Sequence, residues 1–174
     1  TLRDKIRNRE GVKLGWLLDV ARTLERTVRM GWACHGDVKP ENILVTPTEE
    51  VILIDPAPST GRSDEVVATP WYNPFLRRDA KGDTQSLGII LYELLCGSLP
   101  FEKAPFHWSG AEEKSANQEA RDLDRSLYLA YPRPQEVNSK APRELERMIY
   151  LTLCDEAYGL SDFRSDLEDF LLRS

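Results

Sequence analysis

Leu14, Leu17, Leu18, Ala21, Leu24 and Val28 recur at helical spacing, with Arg22, Glu25, Arg26 and Arg29 largely on the opposite side. The pattern predicts an amphipathic helix that runs to about Met30 and stops near Gly31. A short helix over residues 2–8 precedes it, set off by a breaker at Gly11 to Gly15. Two apolar stretches, ILVT (43–46) and VILI (51–54), flank PTEE (47–50) and predict a β-hairpin. Residues 56–82 carry Pro, Gly, Ser, Thr and charges with little periodicity, the signature of a long loop. Asp83 is then expected to cap a helix that is apolar on most sides through Leu87, Ile89, Ile90, Leu91, Leu94 and Leu95 and ends at Gly97 and Pro100. A helix of that kind belongs in the middle of a domain. Residues 102–142 are polar, with a helix-prone centre from Ala111 to Ala130 and a proline-broken stretch at YPRP, before helical periodicity resumes in RELERMIYLTL and SDFRSDLEDFLL. The expectation is one mainly α domain over residues 1–174 with a little β-structure.

Composition narrows this. With 174 residues, 41% hydrophobic and 30% charged, the chain is ordinary for one soluble globular domain with a single core. Its longest apolar run, LGIILYELLCG, is too short for a membrane span and contains Glu93, so no membrane is expected. A net charge of −6 argues against a nucleic-acid partner. Arg3, Lys5, Arg7, Arg9 and Lys13 make the start locally basic, but Asp4 and Glu10 interleave with them, which predicts a solvated helix face. Cys34, Cys96 and Cys154 are odd in number and never in CxxC spacing, against a disulfide framework or zinc site and in favour of a reducing cytoplasm. The chain opens on Thr1 with no signal or transit pattern, which points to a fragment or a trimmed chain.

The candidate chemistry sits in HGDVKPENILV, residues 35–45. A hairpin returns the chain to where it began, so Asn42 before the first strand and Asp55 after the second become neighbours. Beside Asp37, these two oxygen-bearing side chains make a place for a magnesium ion that keeps its other positions for water and phosphate. Alone, Asp37 would be a loop or cap residue and Asp55 a strand end. Together with Lys39 and Asn42 they ask for a common explanation.

These residues resemble the eukaryotic-type Ser/Thr protein kinase family, C-terminal large lobe only. HGDVKPEN resembles the catalytic loop, IDPA the DFG metal-binding turn and ATPWYNPF the end of the activation segment. DTQSLGIILYELLCGSLPF is similar to the central helix of the large lobe, APRELERMIYLTLCDEAYGLS to its closing helices, and TLRDKI to the helix after the hinge. The resemblance implies a kinase-like large lobe with a short β-hairpin beside the catalytic loop. It makes Asp37 the group that orients or deprotonates a substrate hydroxyl and Lys39 a neutraliser of phosphate charge, with Asn42 and Asp55 holding magnesium. Leu2, Leu44, Ile90 and Leu94 would support the floor of the adenine site, so ATP and Mg²⁺ are the implied cofactors and a protein the implied substrate. His35 is read as structural and Cys34 as a buried small residue.

The departures are also legible. No GxGxxG, VAIK-like lysine or partner glutamate helix occurs, so the small lobe is absent from these residues and ATP affinity and catalysis are expected to be very weak in this chain alone. Gly36 replaces the arginine that reads a phosphorylated activation segment, and Pro56 and Ala57 replace Phe and Gly of DFG, which restricts the swing of that turn. Phe75 and Gly159 stand where the family has a glutamate and its matching arginine; joint replacement suggests a stable fold. Three functions compete: a Ser/Thr kinase large lobe that works when completed by a small lobe, a pseudokinase or KIND-like module docking a protein partner, and a small-molecule phosphotransferase. A docking surface would involve Phe106, Trp108, Tyr128 and Tyr131, whose simpler reading is local packing. Lysine two residues after Asp37 favours Ser/Thr over Tyr specificity.

Overall fold

The computed structural model describes residues 1–8, 11–57, 69–100 and 129–174. Among them the order is α1 (Leu2–Arg7), α2 (Leu14–Arg29), a 3₁₀ turn (Pro40–Asn42), β1 (Ile43–Val45), β2 (Val51–Leu53), α3 (Ala80–Cys96), α4 (Pro134–Val137), α5 (Arg143–Cys154) and α6 (Leu160–Arg173). The structure is mainly helical with one antiparallel hairpin, as the hydrophobic pattern predicts. Residues 111–128 of the helix-prone stretch, the middle of the long loop, and Phe106, Trp108 and Tyr128 lie outside the described residues.

The core is organised around α3, in which every residue from Gly82 to Glu93 is buried. An isolated helix so apolar would not survive in water; here α2, α5 and α6 pack around it. On the α5 side the approach is as close as backbone allows, since a Cβ on Gly88 would lie 1.9 Å from Thr152 Oγ1. Leu17, Ile90, Ile149 and Phe163 from four helices join in one buried cluster, each contributing roughly 1.5–3 kcal/mol of burial. Gly97, at φ 71, ends α3 in the left-handed conformation that glycine adopts without strain.

Four expectations are corrected. The cap of α3 is Asp79, whose carboxylate accepts from the Gly82 amide at 2.9 Å; Asp83 lies inside the first turn and is buried. Gly15 is part of α2 rather than a breaker, and that helix also buries Trp16 and Val20, outside the predicted stripe. Arg3 is not on a solvated face: only 3% of it is exposed. Cys34 is half-buried, not buried. Tyr131 packs edge-on against Tyr92 with ring centroids 5.7 Å apart, as expected from local packing.

Candidate active site

The hairpin pairs Ile43 with Leu53, Leu44 with Ile52 and Val45 with Val51. One step beyond this register the Ile54 amide donates to the Asn42 carbonyl at 3.0 Å, so residues 42 and 55 leave the hairpin side by side. Asp55 is exposed and takes φ 56, a left-handed turn that aspartate tolerates better than most residues.

Asp37 occupies the centre. Its Oδ2 accepts from Asn42 Nδ2 at 3.0 Å and pairs with Lys39 Nζ at 2.8 Å, while Oδ1 accepts from the Thr69 amide at 3.1 Å and the Thr69 hydroxyl at 2.9 Å. Lys39 Nζ also donates to Thr69 Oγ1 at 2.7 Å, closing a ring of polar groups around one carboxylate. Asn42 spends its amide nitrogen on Asp37, giving a second bond to the Asp37 carbonyl at 2.9 Å. That leaves the Asn42 amide oxygen as the atom suited to a hard cation. Thr69 is not singled out by the sequence pattern, although ATPWYNPF contains it; its signal is contact with a residue 32 positions away.

Beneath the loop lies an anchor of backbone groups. Asp83 accepts from the amides of His35 at 2.7 Å and Gly36 at 2.9 Å. Burial pushes its carboxyl up to about 6 against the pull of those two amides, with Asp79 and Asp37 adding repulsion. His35 is buried, accepts from the Asp37 amide through Nδ1 at 3.3 Å, and so donates Nε2–H to the Ile54 carbonyl at 3.0 Å. Burial lowers its pKa, so the imidazole is neutral and structural, tying the loop that carries Asp37 to the exit of β2. Cys34 is pushed up to about 11 by burial, then by Asp83, and holds no thiolate for nucleophilic work. Gly36 adopts φ +82, and a Cβ there would meet Ala57 Cβ at 2.9 Å. The Ala57 amide donates to the His35 carbonyl at 2.8 Å, holding the Asp-Pro-Ala turn against the loop.

The remaining sequence candidates fall around this centre. Leu2 and Ile90 are fully buried in the core, Leu94 packs on it, and Leu44 is half-buried beside exposed Ile52 on the outward face of the hairpin. Phe75 packs against the core. Near the vacated ion pair, Arg77 binds Glu156 through Nη1 at 2.9 and 2.8 Å and Asp79 through Nε and Nη2. Lys81 adds bonds to the carbonyls of Asp155 and Tyr158 at 2.6 and 2.9 Å. An ion pair of opposite polarity thus joins the start of α3 to the α5–α6 connection. Among the described residues no helix is long and apolar enough to cross a membrane.

Comparison with known proteins finds protein kinases. A probable cAMP-dependent protein kinase catalytic subunit of Encephalitozoon cuniculi is 42% identical over 75 residues, 38% of this chain and 23% of that protein. An Aurora kinase of Dictyostelium discoideum is 32% identical over 115 residues, 56% of this chain and 30% of its own length. The serine/threonine-protein kinase PknA of Mycobacterium tuberculosis is 35% identical over 100 residues, 48% and 23% of the two chains. The chain thus spans less than a third of the length of these relatives. The family model of the protein kinase domain matches residues 6–157, which take in the ring around Asp37, the Asp55 turn and the central helix, and the chain belongs to the protein kinase domain family.

Proposed function

We propose that this chain is the large catalytic lobe of a Ser/Thr protein kinase-like protein. It would transfer the phosphoryl group of Mg-ATP to protein hydroxyls when a small lobe completes the nucleotide site, and is inactive without one. The observation that carries the reading is the Asp37 carboxylate held between Asn42 and Thr69, with Lys39 bridging Asp37 and Thr69. A general base or orienting group must be fixed to within a fraction of an ångström, and both oxygens here are fixed. Lys39 supplies a cation beside the position of the transferring group, and Asp37 accepts the hydroxyl hydrogen of the substrate. The oxygens of Asn42 and Asp55 suit a hard cation, and bound magnesium would neutralise phosphate charge there. Leu44, half-buried on the hairpin, would face the adenine, with Leu2, Ile90 and Leu94 supporting that floor from the core. The test is transfer from Mg-ATP to serine, threonine and tyrosine peptides by the chain alone and joined to a protein kinase small lobe. The reading requires Ser/Thr transfer by the joined protein only, lost in Asp37→Asn; transfer that survives Asp37→Asn overturns it.

One observation favours a second reading, a docking module for a protein partner. The fit of Gly36 against Ala57 and the Ala57–His35 bond fix the turn that bears Asp55, as suits a scaffold that does not cycle. Phosphate transfer by the joined protein discriminates the two.

A further inference from the structure

Arg3 lies at a junction that the roles given so far do not use. Its guanidinium donates Nε to Glu41 Oε1 at 2.6 Å, Nη1 to Glu93 Oε1 at 2.5 Å, and Nη2 to the Tyr72 hydroxyl and to Glu93 Oε2 at 3.4 Å. The Tyr72 hydroxyl in turn donates to Glu93 Oε2 at 2.7 Å. A buried cation between two carboxylates and a phenol is costly to assemble unless every donor is used, and this one spends donors on three elements. Two of those elements hold Asp37. Glu41 immediately precedes Asn42 in the 3₁₀ turn, and Asn42 grips Asp37 Oδ2. The Tyr72 amide donates to the Thr69 carbonyl at 3.0 Å, and Thr69 grips Asp37 Oδ1. Glu93 supplies the fixed point in the central helix. The second oxygen of Glu41 is buried with no donor among the described residues, so Arg3 is the described anchor of that carboxylate.

We infer that Arg3 is a positioning residue for Asp37, clamping the Asn42 turn and the Thr69 segment to one another across the central helix. The planar fork matters as much as the charge. A lysine of similar reach is a point donor and cannot serve Glu41, Tyr72 and Glu93 along three fixed directions. Burial opposes the charge, but Tyr72, Glu93 and Glu41 together hold the guanidinium protonated, so the clamp does not titrate in the working range. The inference rests on the reading of Asp37 as the group that orients the substrate hydroxyl, yet its test reads geometry rather than turnover.

The test is nuclear magnetic resonance of the 174-residue chain, following exchange of the Thr69 amide and the side-chain amide signals of Asn42, with the Phe163 amide as a distant reference. Tyr72→Phe should raise Thr69 exchange roughly tenfold while leaving the Asn42 signals in place. Glu41→Gln should shift the Asn42 signals while leaving Thr69 protected. Arg3→Lys should do both with Phe163 unchanged. The inference is overturned if Arg3→Lys, or the two single-arm variants should Arg3→Lys not fold, leave both readouts unmoved or move them only in step with Phe163. Absence of Ser/Thr transfer by the chain joined to a small lobe would count against the functional reading and leave these expectations as they stand.

Discussion

Replacing Asp83 by asparagine gives a change in stability whose sign of pH dependence follows from the structure. The carboxylate accepts the amides of His35 and Gly36 at 2.7 and 2.9 Å, and burial nonetheless raises its pKa from 3.8 to about 6. The folded state therefore binds this proton more tightly than the unfolded chain, so the group adds stability below pH 4 and loses it as pH rises to about 6. A difference of about 2 units corresponds to about 3 kcal/mol across that window. His35 acts oppositely: its folded pKa is depressed below 6.5, so stability falls as acid protonates the unfolded chain first. In the wild type the two contributions have opposite sign. The substituted carboxamide has no proton to exchange and one oxygen to accept one amide, leaving the other donor orphaned at about 1–3 kcal/mol. Asp83→Asn is thus expected to cost little near pH 7, where it removes a buried charge, and several kcal/mol near pH 4. Urea titrations of both proteins from pH 4 to 8 measure the difference. Parallel stability curves, or a variant that is worst at pH 8, would refute the linkage argument.

Three further expectations use other contacts. Gly36→Ala should destabilise by about 1–2 kcal/mol through its positive φ and the clash with Ala57, and Ala57→Gly in the same chain should recover the clash component, read in a double-mutant cycle. Gly88→Ala would favour helix formation if α3 were exposed, but in this buried helix it should lower the melting temperature by several degrees because its Cβ meets Thr152 Oγ1 at 1.9 Å; an unchanged temperature would mean that α3 and α5 separate freely. Arg77→Ala and Glu156→Ala should show a coupling of at most about 1 kcal/mol that shrinks in 1 M salt, since both side chains reach solvent; coupling indifferent to salt would refute the surface assignment.

Much of the fold was legible because it is written locally. The two short apolar runs flanking PTEE define the hairpin, and its return fixes the nearness of Asn42 and Asp55. The apolar run through Leu91 could belong only to a buried helix. What local reading missed depends on partners distant in sequence. Asp79 and Asp83 carry the same capping signal, and only the amides of His35 and Gly36, 48 and 47 positions away, draw Asp83 into the core. Arg3 alternates with acids like any solvated helix face; its burial is dictated by Glu41, Tyr72 and Glu93. Thr69 is one residue of a motif until Asp37 and Lys39 close around it. The loss of Glu and Arg at positions 75 and 159 was visible, whereas the reversed pair of Arg77 with Glu156 was not, because neither occupies the vacated positions.

On the proposed reading, the oxygens of Asn42 and Asp55, beside a fixed Asp37, form the metal–nucleotide end of a phosphoryl-transfer site. Titrating the labelled chain, joined to a protein kinase small lobe, with ATP and Mn²⁺, a paramagnetic substitute for Mg²⁺, tests it directly. The account predicts selective broadening of the Asn42, Asp55 and Asp37 resonances that requires ATP and disappears in Asp55→Ala. Broadening elsewhere on the lobe, or the same broadening in Asp55→Ala, would contradict it.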